Sequence, residues 1–221
     1  MELKGKKINF LGDSITQGVG VKNPGNRFVD RVIRMAELAE GRNYGISGTR
    51  FARQVVPTAD KPSFDQDFCS RVEGMDADAD VIIVFGGTND FGHGDAPLGD
   101  FADREPNTFF GACHFLFRYL IETYPDAVIA VCTPLHRLNE DDPMGDHRYK
   151  AYHYGDLKTY VAIIREVAEY YSLPVIDLYA NSGIQPKVDI MREKFMPDGL
   201  HPNDAGHERI AHVIGNFLLS Y

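Results

Sequence analysis

Residues 81–85 read Val-Ile-Ile-Val-Phe, five apolar side chains in a row, four of them β-branched. A strand with one face in water alternates apolar and polar residues. This one does not, so it must be covered on both faces, as a central strand of a parallel sheet is. Residues 127–132 (AVIAVC) have the same character and end at Thr133-Pro134. Shorter apolar runs at 8–11 and 175–178 and a weaker one at 43–45 bring the expected strands to five. Helical spacing fills the intervals. Residues 27–40 carry Phe28, Val32, Met35 and Leu38 at a period near 3.6. Residues 107–124 place Phe110, Cys113, Phe117, Leu120 and Ile121 on one stripe, with Asn107 as the expected N-cap and Pro125 as the stop. Residues 157–171 and 203–219 read as two further helices, the last with Ile210, Val213, Ile214, Phe217 and Leu218 inward. Strands alternating with helices imply an α/β fold with a five-stranded parallel sheet, and right-handed crossovers put helices on both faces.

No repeat or low-complexity tract divides the 221 residues, so one domain spanning 1–221 is expected. The formal net charge of −9 disfavours nucleic acid and anionic membrane surfaces as partners. No apolar stretch is long enough to insert through a bilayer. The leading MELKGKK lacks the apolar segment of a secretory signal, which predicts a cytoplasmic protein. Cys69, Cys113 and Cys132 are isolated, without the pairing of a disulfide framework or zinc site. Nothing in the sequence indicates an oligomer.

In a parallel sheet, ligands bind beyond the carboxyl ends of the strands. The residues that follow each expected strand are therefore the place to look. Gly12-Asp13-Ser14 follows the first and Gly45-Ile46-Ser47-Gly48 the second. Gly86-Gly87-Thr88-Asn89-Asp90 follows the third, and Asp198-Gly199-Leu200-His201-Pro202 precedes the last helix. A serine, a glycine loop, an asparagine and an Asp/His pair converge on one edge, which are the parts an acyl-transfer site requires. Taken alone, each has a plain structural reading: Ser14 as a turn or N-cap serine, the glycines as loop punctuation, Asn89-Asp90 as an Asx-turn. A phosphate loop does not fit, because GDSITQG lacks the Lys-Ser/Thr ending that grips phosphates.

The four segments GDSIT, NYGISG, GGTND and DGLHP resemble the four sequence blocks of the SGNH hydrolases, also called the GDSL esterase/lipase family, in the family's order. The resemblance implies a three-layer α/β/α flavodoxin-like sandwich. It also implies Ser14 as nucleophile, His201 as general base and Asp198 as the acid that orients His201. Ser14 and Gly48 would give backbone N–H groups to the oxyanion, and Asn89 its side-chain amide. Asp13, Asp90, Asn43 and Arg50 read as braces of these loops. His207 and His212 read as helix residues turned away from the core.

Between the blocks lie two long connections, 91–106 and 135–155. The second carries Tyr149, Tyr152 and Tyr154, a candidate wall for stacking a sugar ring, or else a solvated excursion. His136, Asp142 and His147 match no ligand spacing, so no metal and no cofactor is expected. The loops are polar, with no apolar lid, which favours a short-acyl ester, such as acetyl groups on a carbohydrate, over a triglyceride. A lysophospholipase or thioesterase of the same family is the alternative within enzymes. A non-catalytic carbohydrate- or acyl-binding module is the alternative outside them.

Overall fold

The computed structural model describes residues 2–146 and 154–221. In chain order the elements are β1 (Lys7–Gly12), α1 (Ser14–Gln17), α2 (Phe28–Met35), β2 (Glu40–Gly45), α3 (Phe68–Arg71), β3 (Val81–Phe85), α4 (Thr88–His93), α5 (Phe109–Thr123), β4 (Val128–Cys132), α6 (Leu157–Tyr170), β5 (Val175–Ile176), α7 (Leu178–Asn181), α8 (Asp189–Phe195) and α9 (Asp204–Ser220). All strand pairings are parallel, and the sheet order is β2-β1-β3-β4-β5. That is the flavodoxin-like order. The chain moves outward from β1 to β2, then crosses back to β3, so the loops leaving β1 and β3 part and open a crevice between them.

The unbroken apolar runs follow from the two faces. Leu11, Ile82, Val84, Ile129 and Val131 point into a core shared with α3, α5 and α6. Their strand neighbours Phe10, Val81, Ile83, Phe85 and Cys132 point the other way, into a core shared with α2, α8 and α9. Every side chain of β3 is buried, each stabilising the fold by roughly 1.5–3 kcal/mol before entropy is counted. Asn9, the polar residue inside β1, is satisfied by donating to Asp76 O at 2.8 Å.

Several boundaries differ from the sequence reading. The helix expected over 27–40 stops at Met35, and Glu40 already starts β2. Glu37 takes a left-handed φ of 49° there, and Lys6 O accepts from the Ala39 and Glu40 amides. Leu38 kept the helical period because it packs on the same core from the turn. Thr108, not Asn107, caps α5, its hydroxyl accepting from Gly111 N. The last strand ends at Ile176, since Asp177 caps α7. His207 is fully buried. It lies on the first turns of α9 where α2 crosses, its Nδ1 accepts from Phe28 N at 3.1 Å, and its ring stacks on Phe28.

Candidate active site

Ser14 owes its place to the two residues before it. Gly12 ends β1 where a Cβ would lie 2.0 Å from Thr16 Oγ1 and 2.9 Å from Phe85 O. Only glycine lets α1 fold back so closely. Asp13 caps α1, accepting from Ile15 N at 2.9 Å. Ser14 is thereby the first residue of the helix, at the carboxyl edge of the sheet. Its hydroxyl is 3.1 Å from His201 Nε2, 187 residues away in sequence.

His201 is fixed from the other side. Its Nδ1 lies 2.8 Å from Asp198 Oδ2, while Asp198 Oδ1 accepts from the Leu200 and His201 amides at 2.9 and 2.6 Å. Burial pushes the Asp198 carboxyl up, but the hydrogen bonds from the His201 ring and from the His201 and Leu200 amides outweigh it and bring it down to about 2. An ionised carboxylate only accepts, so His201 Nδ1 carries the proton and Nε2 turns its lone pair to Ser14. Gly20 lets the loop after α1 close on this pair: at φ 96° it takes a backbone that a side chain strains, and a Cβ would meet Pro202 O at 2.3 Å.

The glycine loop and the asparagine meet Ser14 across the crevice. Gly48 has φ 77°, and a Cβ there would fall 2.1 Å from the Phe64 ring. Asn89, on α4 and buried, gives one of its two N–H bonds to Thr49 O at 2.9 Å. The loop itself is held by Asp90, whose oxygens accept from Phe51 N and Ala52 N at 3.0 and 2.9 Å. Asn43 accepts from Gly45 N and donates to Thr16 O. Arg71 donates to Gly12 O and Tyr44 O, tying the ends of β1 and β2 together. Burial raises Asp13 and Asp90, each to about 6.

Ser14, Gly48, Asn89 and His201 open onto one cleft of about 450 Å3. Val19, Phe64 and Leu200 supply apolar wall, and Ser47, His93 and Asp146 polar wall. Asp198 stands behind His201. Sequence reasoning missed Phe64, His93 and Asp146. One signal for His93 was available: it lies four residues after Asn89 on the same helix, hence on the same face. Arg50 does brace the loop, but chiefly by reaching His93 Nδ1 at 3.0 Å, Phe64 O and Asp65.

Of the expected tyrosine wall, Tyr149 and Tyr152 lie outside the described residues. Tyr154 is not among the described residues that line the cleft; the turn into α6 carries its hydroxyl to Asp95 O at 3.4 Å. His136 turns to Glu140 at 2.7 Å and packs on Tyr179. Among the described residues no cluster of His, Cys, Asp or Glu could hold a metal ion, and no helix is long and apolar enough to cross a membrane.

Comparison with known proteins agrees with this fold. The model of the GDSL-like lipase/acylhydrolase family matches residues 10–209. A solved structure from Lactobacillus plantarum is 28% identical, with a TM-score of 0.84 over 99% of this chain and 98% of that one. The lipase/acylhydrolase from Enterococcus faecalis shares the fold at 22% identity, with a TM-score of 0.63 over 97% and 96%. A two-domain esterase active on acetylated mannans shares it at 19% identity, with a TM-score of 0.59; the match covers 99% of this chain and 50% of that one. None of the curated proteins matches the chain. With the family model spanning all four motifs, this chain belongs to the GDSL-like lipase/acylhydrolase family.

Proposed function

We propose that the protein is a serine carboxylic-ester hydrolase acting on short-acyl esters, with Ser14, His201 and Asp198 as its catalytic triad. The observation that carries this reading is the continuous chain from Ser14 Oγ through the His201 ring to Asp198, opening onto the cleft. In the first half-reaction Ser14 Oγ attacks the ester carbonyl carbon while His201 Nε2 takes its proton. Asp198 keeps the ring in the required tautomer and stabilises the imidazolium. The tetrahedral oxyanion receives hydrogen bonds from the Ser14 and Gly48 amides and from Asn89 Nδ2. His201 then gives the proton to the leaving alcohol, and the acyl group stays on Ser14. In the second half-reaction water, deprotonated by His201, attacks the acyl carbon; the bond to Ser14 Oγ breaks, His201 returns the proton to Oγ, and the acid leaves.

A cleft of about 450 Å3 with Val19, Phe64 and Leu200 beside the serine favours a small acyl group such as acetyl. We place carbohydrate O-acetyl esters first among the alcohols. Two measurements test the reading. A fluorophosphonate probe should label wild-type protein at Ser14, and Ser14→Ala should abolish labelling and lower 4-nitrophenyl acetate turnover by about a thousandfold or more. Folded protein that resists the probe would instead be a binding module. Across acetyl to decanoyl esters, kcat/KM should fall with length; a rise would favour the lysophospholipase or thioesterase reading.

A further inference from the structure

The turn that carries Gly48 is held at three points. Its entry is fixed to β1, where Ile46 N donates to Gly12 O at 3.1 Å, and its exit to Asn89, which donates to Thr49 O at 2.9 Å. Thr49 N returns to Ile46 O at 3.3 Å, Gly48 has φ 77° and Ser47 keeps a negative φ, which together make residues 46–49 a type II turn. The third hold is at the tip. Gln17 Oε1 accepts from Ser47 N at 2.7 Å and from Ser47 Oγ at 2.6 Å. Gln17 is the last residue of α1, three after Ser14. Its own amide donates to Asp13 O at 2.9 Å, and Asn43 holds the preceding carbonyl, Thr16 O. Gly45 lets α1 come this close to the end of β2, since a Cβ there would fall 2.2 Å from Gln17 N. The short helix α1 therefore carries the serine at one end and the anchor of the turn at the other.

We propose that Gln17 is a positioning residue for the oxyanion hole, acting through Ser47 on the N–H of Gly48. The peptide that bears this N–H joins Ser47 to Gly48, so its place follows from the Ser47 backbone. Two bonds to one oxygen hold both the backbone and the side-chain rotamer of Ser47. Without them the tip of the turn can drift from Ser14 while its two ends stay tied. A donor that drifts stabilises the developing oxyanion less and changes ground-state binding little. Gln17 itself is exposed, so its replacement leaves the core alone. The inference rests on the reading of Ser14 as nucleophile and Gly48 as oxyanion donor.

The test compares wild type, Gln17→Met and Gln17→Glu on 4-nitrophenyl acetate. Methionine fills the same space without a strong acceptor, and glutamate keeps one. Gln17→Met should lower kcat about tenfold, a part of what a whole oxyanion donor is worth, with KM within about twofold of wild type. The pH dependence of kcat should not move, because the His201–Asp198 pair is untouched. Gln17→Glu should recover most of the loss. A kcat within about twofold of wild type in folded Gln17→Met overturns the proposal. So does a raised KM with kcat kept, which puts Gln17 against the substrate instead, or a shifted pH profile, which puts it on the triad. Equal loss in both variants also overturns it, since the acceptor would then not matter. Should the methionine variant not fold by circular dichroism, Gln17→Ala takes its place and is judged the same way. Wild type that neither cleaves the ester nor takes the fluorophosphonate probe at Ser14 overturns the esterase reading and this one with it. Labelled, active wild type with unimpaired variants overturns this one alone.

Discussion

Asp90 offers a quantitative test of how the site is held. Its carboxyl is fully enclosed, and burial moves it from the ordinary 3.8 to about 6 against the pull of the Ala52 and Phe51 amides and the Arg50 charge. Such a displacement corresponds to about 3 kcal/mol. The sign follows from where the proton is held more tightly. Folded Asp90 binds it better than unfolded Asp90 does, so the group favours the fold fully below about pH 4 and loses that advantage as pH rises to about 6. At pH 7 the native state carries a desolvated carboxylate. Asp90→Asn cannot titrate. Its single carbonyl oxygen serves only one of the two amides that Asp90 now holds, a pH-independent loss of about 1–3 kcal/mol. Urea unfolding from pH 4 to 7.5 separates the two contributions. The stability of Asp90→Asn relative to wild type should improve by about 3 kcal/mol between pH 4 and 7. A difference constant within about 0.5 kcal/mol over that range would refute the reasoning. The carboxylate is kept because two acceptors are needed on adjacent amides, Phe51 and Ala52, just beyond the glycine loop. Stability is lost there to fix the position of Gly48.

Asn89→Ala removes one oxyanion donor and should lower kcat for 4-nitrophenyl acetate about a hundred- to a thousandfold with the fold intact by circular dichroism; an unchanged kcat removes Asn89 from the hole. His207→Leu tests the buried histidine. Burial lowers His207 from 6.5 to about 4, so its neutral form stabilises the native state above pH 6.5 and that contribution is lost as pH falls toward 4. The variant strands the Phe28 amide and should be about 1–3 kcal/mol less stable than wild type at pH 7, with a smaller gap at pH 4.5; a gap that widens in acid contradicts the assignment.

The layers of this fold were legible because strand burial writes itself into composition: 81–85 and 128–132 could be nothing but doubly covered strands. Helix ends were less legible. Leu38 satisfies the helical period from a turn, and periodicity cannot tell the two apart. The four motif segments were legible as a set, and the structure brings Ser14, Gly48, Asn89 and His201 onto one cleft with Asp198 behind them. His207 was misread because which face of α9 is inward depends on α2 crossing its first turns, a fact of packing between distant segments. That the Tyr154 hydroxyl is tied to Asp95 O was not legible, because a long polar connection gives no hint of where its ends are held.

Arg50 was expected as a brace, but what the sequence hid most completely is that Arg71 and Arg137 join it. Arg50, Arg71 and Arg137 are buried or largely so, and each spends donors on backbone carbonyls near the edge of the cleft: Phe64 O, the Gly12 and Tyr44 carbonyls at the ends of β1 and β2, and Thr88 O at the start of α4. Buried carbonyls at strand and helix ends need donors, and under the cleft water cannot supply them. A planar guanidinium offers five donors in a fixed fork, where a lysine offers three from a single nitrogen. Burial lowers all three groups from their ordinary values, Arg71 to about 10. Each nonetheless has a carboxylate near it, Asp65, Asp13 and Asp146 in turn, which favours its charged form. The charges beneath the site thus hold one another in place while the arginines hold the loops. Since their partners are mainly backbone oxygens, which every residue has, no residue identity in the sequence marks the pairing. The geometry of Gly12, Gly48 and His93 depends on it all the same.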